Sequence, residues 1–178
     1  SLLTEWNFWP SSDFERDFRS VRVAAFDASA MIYLQESLPD IATFYRGDTW
    51  SWGGLFDQNG VPHKAYYSFK AFKMLLETPN RVLCTGTDRK GFATIAGVSH
   101  DNKTVTILIS NYDSEFNGYR LEVKNLPWEA GRSRCELYVI DSKNSLDLVK
   151  SETYDATTLE IEQGMESQAI HLVRLIGE

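Results

Sequence analysis

The spacing of apolar residues changes near residue 80 and divides the chain into two parts. Before that point apolar residues recur at intervals of three and four, as in amphipathic helices. After it, apolar and polar residues alternate in short runs, with turn signals every eight to twelve residues. This second pattern is typical of antiparallel β structure. The pattern predicts a mixed α and β protein with one unit over 1–80 and an all-β unit over 81–178.

Two strands and two helices are predicted in the first part. The apolar run that opens the chain ends on Glu5, as a buried parallel strand does where it reaches a polar cleft. Helical periodicity over 13–37, preceded by three N-cap candidates, predicts a helix that ends before Pro39. Residues 41–45 predict a short buried strand, and Pro62 precedes a second helix. The two apolar stripes comprise Phe14, Phe18, Val21, Ala25, Ala28 and Ile32, and Ala65, Phe69, Phe72 and Leu76.

Eight short strands are predicted in the second part, and their spacing is typical of an antiparallel sandwich. Alternation is imperfect after Thr104, so that strand is predicted to be buried on both faces. The junction over 77–81 is too short for a flexible linker, which predicts that the two parts pack closely. The strands are predicted at 82–85, 91–98, 104–111, 118–125, 135–141, 147–154, 157–161 and 169–176.

Composition excludes several classes of protein. The 178 residues are 43% hydrophobic and 13% aromatic, which argues for a folded protein. The formal net charge of −7, without clusters of Lys and Arg, argues against nucleic acid as a partner. No apolar run is long enough for a membrane span, and no signal peptide is visible. We therefore expect neither a nucleic acid nor a membrane partner, and the compartment stays open.

The two cysteines and the histidines do not indicate a metal site. Cys84 and Cys135 form either one disulfide or two buried thiols, and the sequence does not decide between them. There is no paired CxxC spacing of the kind that binds zinc. We expect no metal and no cofactor.

Glu5 is the strongest candidate for chemistry. A carboxylate at the carboxyl end of a barrel strand can stay ionised and attack an electron-poor carbon such as an anomeric centre. The alternative is a solvated side chain at a frayed terminus. The loop over 46–60 adds Trp50 and Trp52, whose flat indoles suit a sugar ring, although either of them can equally well pack under the loop. Asp57 in this Gly-rich loop is expected to form a turn, and the lone His63 is expected to be a surface or packing residue.

Two segments resemble a known family of enzymes. The first is Thr4-Glu5-Trp6-Asn7, and the second runs from Trp50 to Lys70, with a Gly-Gly-Leu turn and an Ala-Tyr-Tyr helix. Together they resemble the last two βα units of a clan A glycoside hydrolase barrel, closest to family 39, which includes β-xylosidases and α-L-iduronidases. The resemblance covers about the first 80 residues. It implies the last two βα units of a truncated (β/α)8 barrel, followed by an antiparallel β-sandwich of about eight strands.

The resemblance also implies a function. It assigns the nucleophile of a retaining glycosidase to Glu5, and substrate binding to Trp6, Asn7, Trp50 and Trp52. The partner acid of such enzymes, about 5 Å from the nucleophile, belongs to an Asn-Glu pair on the fourth strand, and this chain contains no Asn-Glu dipeptide. The chain is thus expected to be the C-terminal part of a hydrolase of O-glycosidic bonds, of the β-xyloside type. It is expected to be inactive alone, with a carbohydrate as partner and a parent compatible with an extracytoplasmic location.

Two other functions stay open at this point. The chain is alternatively a non-catalytic carbohydrate-binding β-sandwich or a structural accessory domain, in which Glu5 has no role. Trp128, Tyr112, Phe116 and Tyr119 are candidate stacking residues, although core packing is the expected use of them. Barrel elements without their neighbours expose apolar faces, so we expect self-association or packing of the amino-terminal part on the sandwich in a non-barrel arrangement. The side chains that need cover are Phe14, Phe18, Ile41 and Phe44.

Overall fold

The computed structural model describes residues 1–8, 19–48, 54–128, 132–155 and 158–177. Within these ranges the chain forms two helices and ten strands. The helices are α1 (Val21–Leu34) and α2 (Lys64–Leu75). The strands are β1 (Leu2–Trp6), β2 (Ile41–Phe44), β3 (Asn80–Arg81), β4 (Phe92–Val98), β5 (Thr104–Asn111), β6 (Gly118–Val123), β7 (Arg132–Ile140), β8 (Ser145–Asp155), β9 (Leu159–Gly164) and β10 (Ala169–Gly177).

Strands β1 and β2 form a parallel pair joined by α1. Leu2 lies opposite Ile41, and Trp6 lies opposite Phe44. The register shifts by one residue between these pairs, which makes a β-bulge in β1. The predicted burial of both strands is wrong, because Leu2 is 60% and Ile41 59% exposed. Among the described residues no third strand joins this sheet. Leu2 and Ile41, which lie opposite each other, are exposed, and the side of the sheet that carries them is called its bare face.

The helices differ from their predicted bounds and faces. Helix α1 starts after Ser20, an extended N-cap residue, and it ends at Leu34 rather than near residue 37. Residues 9–18, with Phe14 and Phe18, lie outside the described residues. Helix α2 buries small side chains in addition to Leu75, whereas Leu76 of its predicted stripe is 60% exposed. Small residues let the helix approach its neighbours closely, which rotates its buried face away from the prediction.

Most strands of the second part lie where they are predicted. Strands β3, β4, β5, β10, β7 and β8 form, in that order, a six-stranded antiparallel sheet, and β6 and β9 form a separate pair. Strand β5 is buried on both faces, as predicted. The strand predicted at 82–85 is wrong, because pairing with β4 is confined to Asn80–Arg81. Leu83, which follows, is 94% exposed.

The six-stranded sheet has a separate apolar core on each face. On one face it packs against β6 and β9, through a cluster that includes Ile107, Leu137 and Val173. On the other face it packs against α1 and α2, through residues Ala24, Ala25, Ala28, Ile32, Ala71, Leu75, Ala93, Ile95, Leu108, Ile140, Ile170 and Leu172. The two parts of the chain therefore pack closely, as the short junction predicts.

Polar contacts fix the helices on the sheet. The Ser110 hydroxyl donates to the Ala25 carbonyl at 2.8 Å, and the Ser29 hydroxyl lies 3.0 Å from Ser110 Oγ. Next to the end of α2, the backbone of Thr78 approaches Gly97 of β4 so closely that a Cβ at Gly97 would collide with the Thr78 carbonyl. The absence of a side chain at Gly97 therefore permits this approach.

The cysteines are two thiols rather than a disulfide. Cys84 is half-buried and Cys135 is buried. Burial raises the pKa of the Cys135 thiol to about 11, so it is a protonated, inert core residue. No described helix has the length and hydropathy to cross a membrane. The parts of the chain that the structure describes also contain no group of three His, Cys, Asp or Glu residues that could hold a metal.

Candidate active site

Glu5 lies one residue before the end of β1 and is exposed. The β-bulge in β1 explains why Glu5 is exposed. In a regular strand Leu3 and Glu5 share a face, and Leu3 is on the half-buried side. The extra residue between Leu3 and Trp6 resets the alternation, so that Thr4 and Glu5 are both exposed while Leu3 and Trp6 are both half-buried. The bulge thus puts the candidate nucleophile on the bare face of the parallel pair.

The backbone on either side of Glu5 is held by β2. The Thr43 hydroxyl donates to the Thr4 carbonyl, and the Tyr45 amide donates to the Trp6 carbonyl at 2.9 Å. These contacts hold the Thr4–Glu5 peptide unit and the Trp6–Asn7 peptide unit, one on either side of Glu5. The backbone at Glu5 is therefore held in place, while the Glu5 side chain is exposed.

Trp6 and Asn7 have contacts within the protein. The indole of Trp6 packs edge-on against Phe44 at 5.0 Å between ring centroids and stacks near Phe69 of α2 at 6.2 Å. The Asn7 carboxamide donates to the Tyr45 carbonyl, and its oxygen accepts the Phe8 amide at 2.7 Å. These contacts anchor the end of β1 to β2 and α2, and they leave contact of either side chain with a sugar as a prediction.

The residues that follow β2 add groups that the sequence reasoning missed. Tyr45 is 39% exposed, and the Arg46 guanidinium lies 5.9 Å from the centre of its ring while Nε contacts Asp48. The peptide bond between Tyr45 and Arg46 is cis. Their position in the sequence could have indicated them, because they directly follow β2, whose end lies beside the end of β1. Trp50 and Trp52 lie outside the described residues.

Asp57 and His63 organise the loop before α2. The Asp57 carboxylate accepts the Asn59 and Val61 amides at 2.8 and 2.9 Å, and these bonds lower its pKa. Asp57 is therefore a turn former, as predicted. His63 is the N-cap residue of α2, and its Nδ1 lies 2.9 Å from the Gly54 carbonyl oxygen. These contacts connect His63 to the loop, in keeping with a packing residue.

No protein-family model and no curated protein matches the sequence, but solved structures match nearly all of it. A glucosidase structure from Croceicoccus marinus has a TM-score of 0.87 and 27% identity, covering 99% of this chain and 46% of that one. A GH39 enzyme from Xanthomonas axonopodis pv. citri has a TM-score of 0.70 and 14% identity, covering 98% and 44%. A monomeric β-xylosidase from Caulobacter crescentus CB15 has a TM-score of 0.69 and 12% identity, covering 99% and 45%.

These matches confirm the resemblance to glycoside hydrolases that the sequence indicates. The two matches with 14% and 12% identity show a shared fold. The chain spans about half the length of the solved structures that it matches, at 46%, 44% and 45% of them.

Proposed function

We propose that the chain is the C-terminal part of a retaining glycoside hydrolase in which Glu5 is the nucleophile. The observation that carries the proposal is the β-bulge that puts Glu5 on the bare face of a parallel strand end. The match of 99% of this chain to a glucosidase structure at a TM-score of 0.87 supports it. In this proposal residues 1–80 are the last two βα units of a barrel, and residues 81–178 are an accessory sandwich.

In the proposed reaction the Glu5 carboxylate attacks the anomeric carbon while the bond to the leaving oxygen breaks. A second carboxylic acid, on strands that precede this chain in the parent, protonates that oxygen and then removes a proton from the water that cleaves the glycosyl ester. Thr43 and Asn7 hold the backbone beside Glu5, and Trp6 anchors it to α2. Trp50 and Trp52 contact the sugar, as the sequence predicts.

Three consequences follow from the proposal. The substrate is a carbohydrate, and an aryl β-glucoside and an aryl β-xyloside are the first compounds to test. The 178-residue chain does not hydrolyse them alone, because the second acid is supplied by other strands. The bare face of β1 and β2 is covered by those strands in the parent, and this contact replaces the expected self-association.

The test uses the parent enzyme with Glu5→Gln. We expect turnover of both aryl glycosides to fall by several orders of magnitude, because the amide cannot form the glycosyl ester. In Glu5→Ala, added azide should restore turnover by occupying the space of the carboxylate, and the product should be a glycosyl azide of inverted configuration. The matched control is Glu162→Gln, which removes an exposed carboxylate from β9.

Near-normal turnover by the Glu5→Gln parent would exclude the nucleophile assignment. It would favour the alternative of a non-catalytic carbohydrate-binding or structural module. Hydrolysis by the 178-residue chain alone would contradict the proposal that the second acid lies elsewhere.

A further inference from the structure

A groove opens between the two sheets of the β part, on the side opposite to the helices. Its volume is about 490 Å³, within the range of small-molecule sites. One wall comes from β7, β8 and β10 of the six-stranded sheet, and the other from the end of β9 and the turn after it. No residue of β1, β2, α1 or α2 lines it. The groove is therefore separate from Glu5.

The floor of the groove contains His171, a polar residue on the third strand from one edge of the sheet, β10. Its side chain is almost wholly buried, with a relative exposure of 4%. The Tyr119 hydroxyl lies 3.1 Å from Nδ1, and among the described residues Nε2 has no hydrogen-bond partner. Burial lowers the pKa of His171 to about 4, so the ring is neutral at neutral pH. In either tautomer of the neutral ring, Nε2 is a hydrogen-bonding group, as a donor when Tyr119 donates to Nδ1 and as an acceptor when Nδ1 donates to Tyr119.

A second β-bulge shapes the wall formed by β8. Leu137 of β7 pairs with Lys150 and the next residue, Tyr138, pairs with Leu148, so Val149 is the extra residue. This extra residue, next to Lys150 along β8, lines the groove. Val149 is 47% exposed. An exposed apolar side chain in an otherwise polar rim suits a sugar ring, because the C–H faces of the ring are apolar and its edges carry hydroxyls.

The charges around the groove disfavour an anionic ligand. Glu166 on the rim is exposed and has no ion pair among the described residues. Lys150 beside the groove is neutralised by Glu152, with Nζ 3.0 Å from the carboxylate. Gln163, on the opposite wall, adds an amide that can bond to hydroxyl groups. The rim thus combines uncharged hydrogen-bonding groups with a net negative charge.

We propose that this groove binds a neutral oligosaccharide, as a second carbohydrate site distinct from the one at Glu5. The proposal rests on the proposed function only for the chemical class of its ligand. Because the groove lies across the six-stranded sheet from the helices, a bound chain contacts the protein at a place where it is not cleaved. The site would hold the polymer near the enzyme rather than take part in the reaction.

The test measures binding of β-1,4-linked xylohexaose and cellohexaose to the 178-residue chain by calorimetry. We expect Val149→Trp, which fills the groove, to weaken binding at least about tenfold, a loss of about 1.4 kcal/mol. The matched control is Leu148→Trp on the same strand, which adds the same side chain outside the groove and should change binding less than about twofold. Glu5→Gln should bind as the unmodified chain does.

A second readout comes from the three histidines. In imidazole NMR spectra, saturating ligand should shift the signals of His171 and leave those of the exposed His100 in place. Absence of binding to both hexaoses would overturn the proposal, and so would equal losses in the two Trp variants. If the Glu5→Gln chain still binds the hexaoses and the Glu5→Gln parent is still active, the proposed function is wrong while the proposal for the groove stands.

Discussion

The parallel pair β1–β2 and the six-stranded antiparallel sheet have similar apolar strands but very different surroundings. In the parallel pair Leu2 and Ile41 are 60% and 59% exposed. In the antiparallel sheet the central strand β10 is buried on both faces, and Leu172 is fully buried. The difference lies in the neighbours. The large sheet has a covering layer on each face within the chain, whereas among the described residues the small one is covered on the helix side alone.

An apolar strand sequence indicates that other parts of the protein must cover the strand, but it does not by itself show that the strand is buried. A strand whose partners lie in another part of a protein keeps the pattern of a buried strand even where it is exposed. The contrast also divides the molecule into a region that stabilises the fold and a region that carries the candidate chemistry. Substitutions in the two regions test that division.

The largest expected effect on stability comes from the covered region. Leu172→Ala should lower the free energy of unfolding by about 2–5 kcal/mol, because it leaves a cavity against the helices. Ile41→Ala should cost less than about 1 kcal/mol, because its side chain is already exposed. Urea unfolding of the chain measures both values, and equal losses would contradict the comparison.

The second prediction concerns the pH dependence of stability. The folded pKa of His171 is about 4 and the unfolded one about 6.5, so the unfolded chain binds the extra proton between these values. Stability contributed by neutral His171 is full above about pH 6.5 and is lost as the pH falls toward 4, by about 3 kcal/mol. In His171→Gln this part of the pH dependence should disappear.

The control for that experiment is His100→Gln, which changes an exposed histidine and should keep the pH profile of the unmodified chain. Glu5→Gln should keep it as well, since Glu5 is exposed. An unchanged slope between pH 6.5 and 4 in His171→Gln would show that other groups cause the acid sensitivity.

Asp27 should change the pH dependence of stability in the opposite direction to His171. Asp27 of α1 is fully buried, and neither carboxylate oxygen has a hydrogen-bond partner within the part of the chain that the structure describes. Burial raises its pKa well above the usual value, so the folded chain must hold a proton that the unfolded chain releases, which lowers stability as the pH rises. Asp27→Asn should therefore raise the melting temperature, and the gain should grow from acidic to neutral pH. A gain that is the same at each pH would contradict this explanation.

The smallest effect on stability is expected at the bare face of the parallel pair. Ile41→Lys should leave the free energy of unfolding nearly unchanged, because a surface substitution of this kind is usually worth less than about 0.5 kcal/mol. It should instead reduce self-association of the 178-residue chain in analytical ultracentrifugation, since a charge opposes contact between bare faces. Self-association that the Lys variant leaves unchanged would show that other surfaces cause it.

The sequence predicts burial correctly where the pattern of apolar residues within one strand is sufficient. The near-continuous apolar run of β5 predicts burial on both faces, and the structure has it. Sequence reasoning failed where burial depended on distant contacts. Leu2 and Ile41 belong to apolar runs and are exposed, and the segment after Arg81 forms no further ladder pairs with β4 although it alternates. The N-cap candidates Ser11, Ser12 and Asp13 lie outside the described residues.

The candidate site shows the same limit. The sequence singles out Glu5 as a carboxylate after an apolar run, but the bulge that brings it to the bare face depends on how β1 pairs with β2. Alternation alone would put Glu5 on the same side as Leu3. The groove around His171 was not predicted, because it needs residues from four strands and three connecting segments that lie together only in the folded chain.

The contact between Gly97 and Thr78 limits how this protein can be divided. The helices fit the strands through small side chains and a glycine, so they cannot be replaced by an unrelated layer. A chimera that transplants only the residues after Asn80 would expose the face that contains Leu108 and Leu172 to water. The practical unit for such grafting is the sheet together with its two helices.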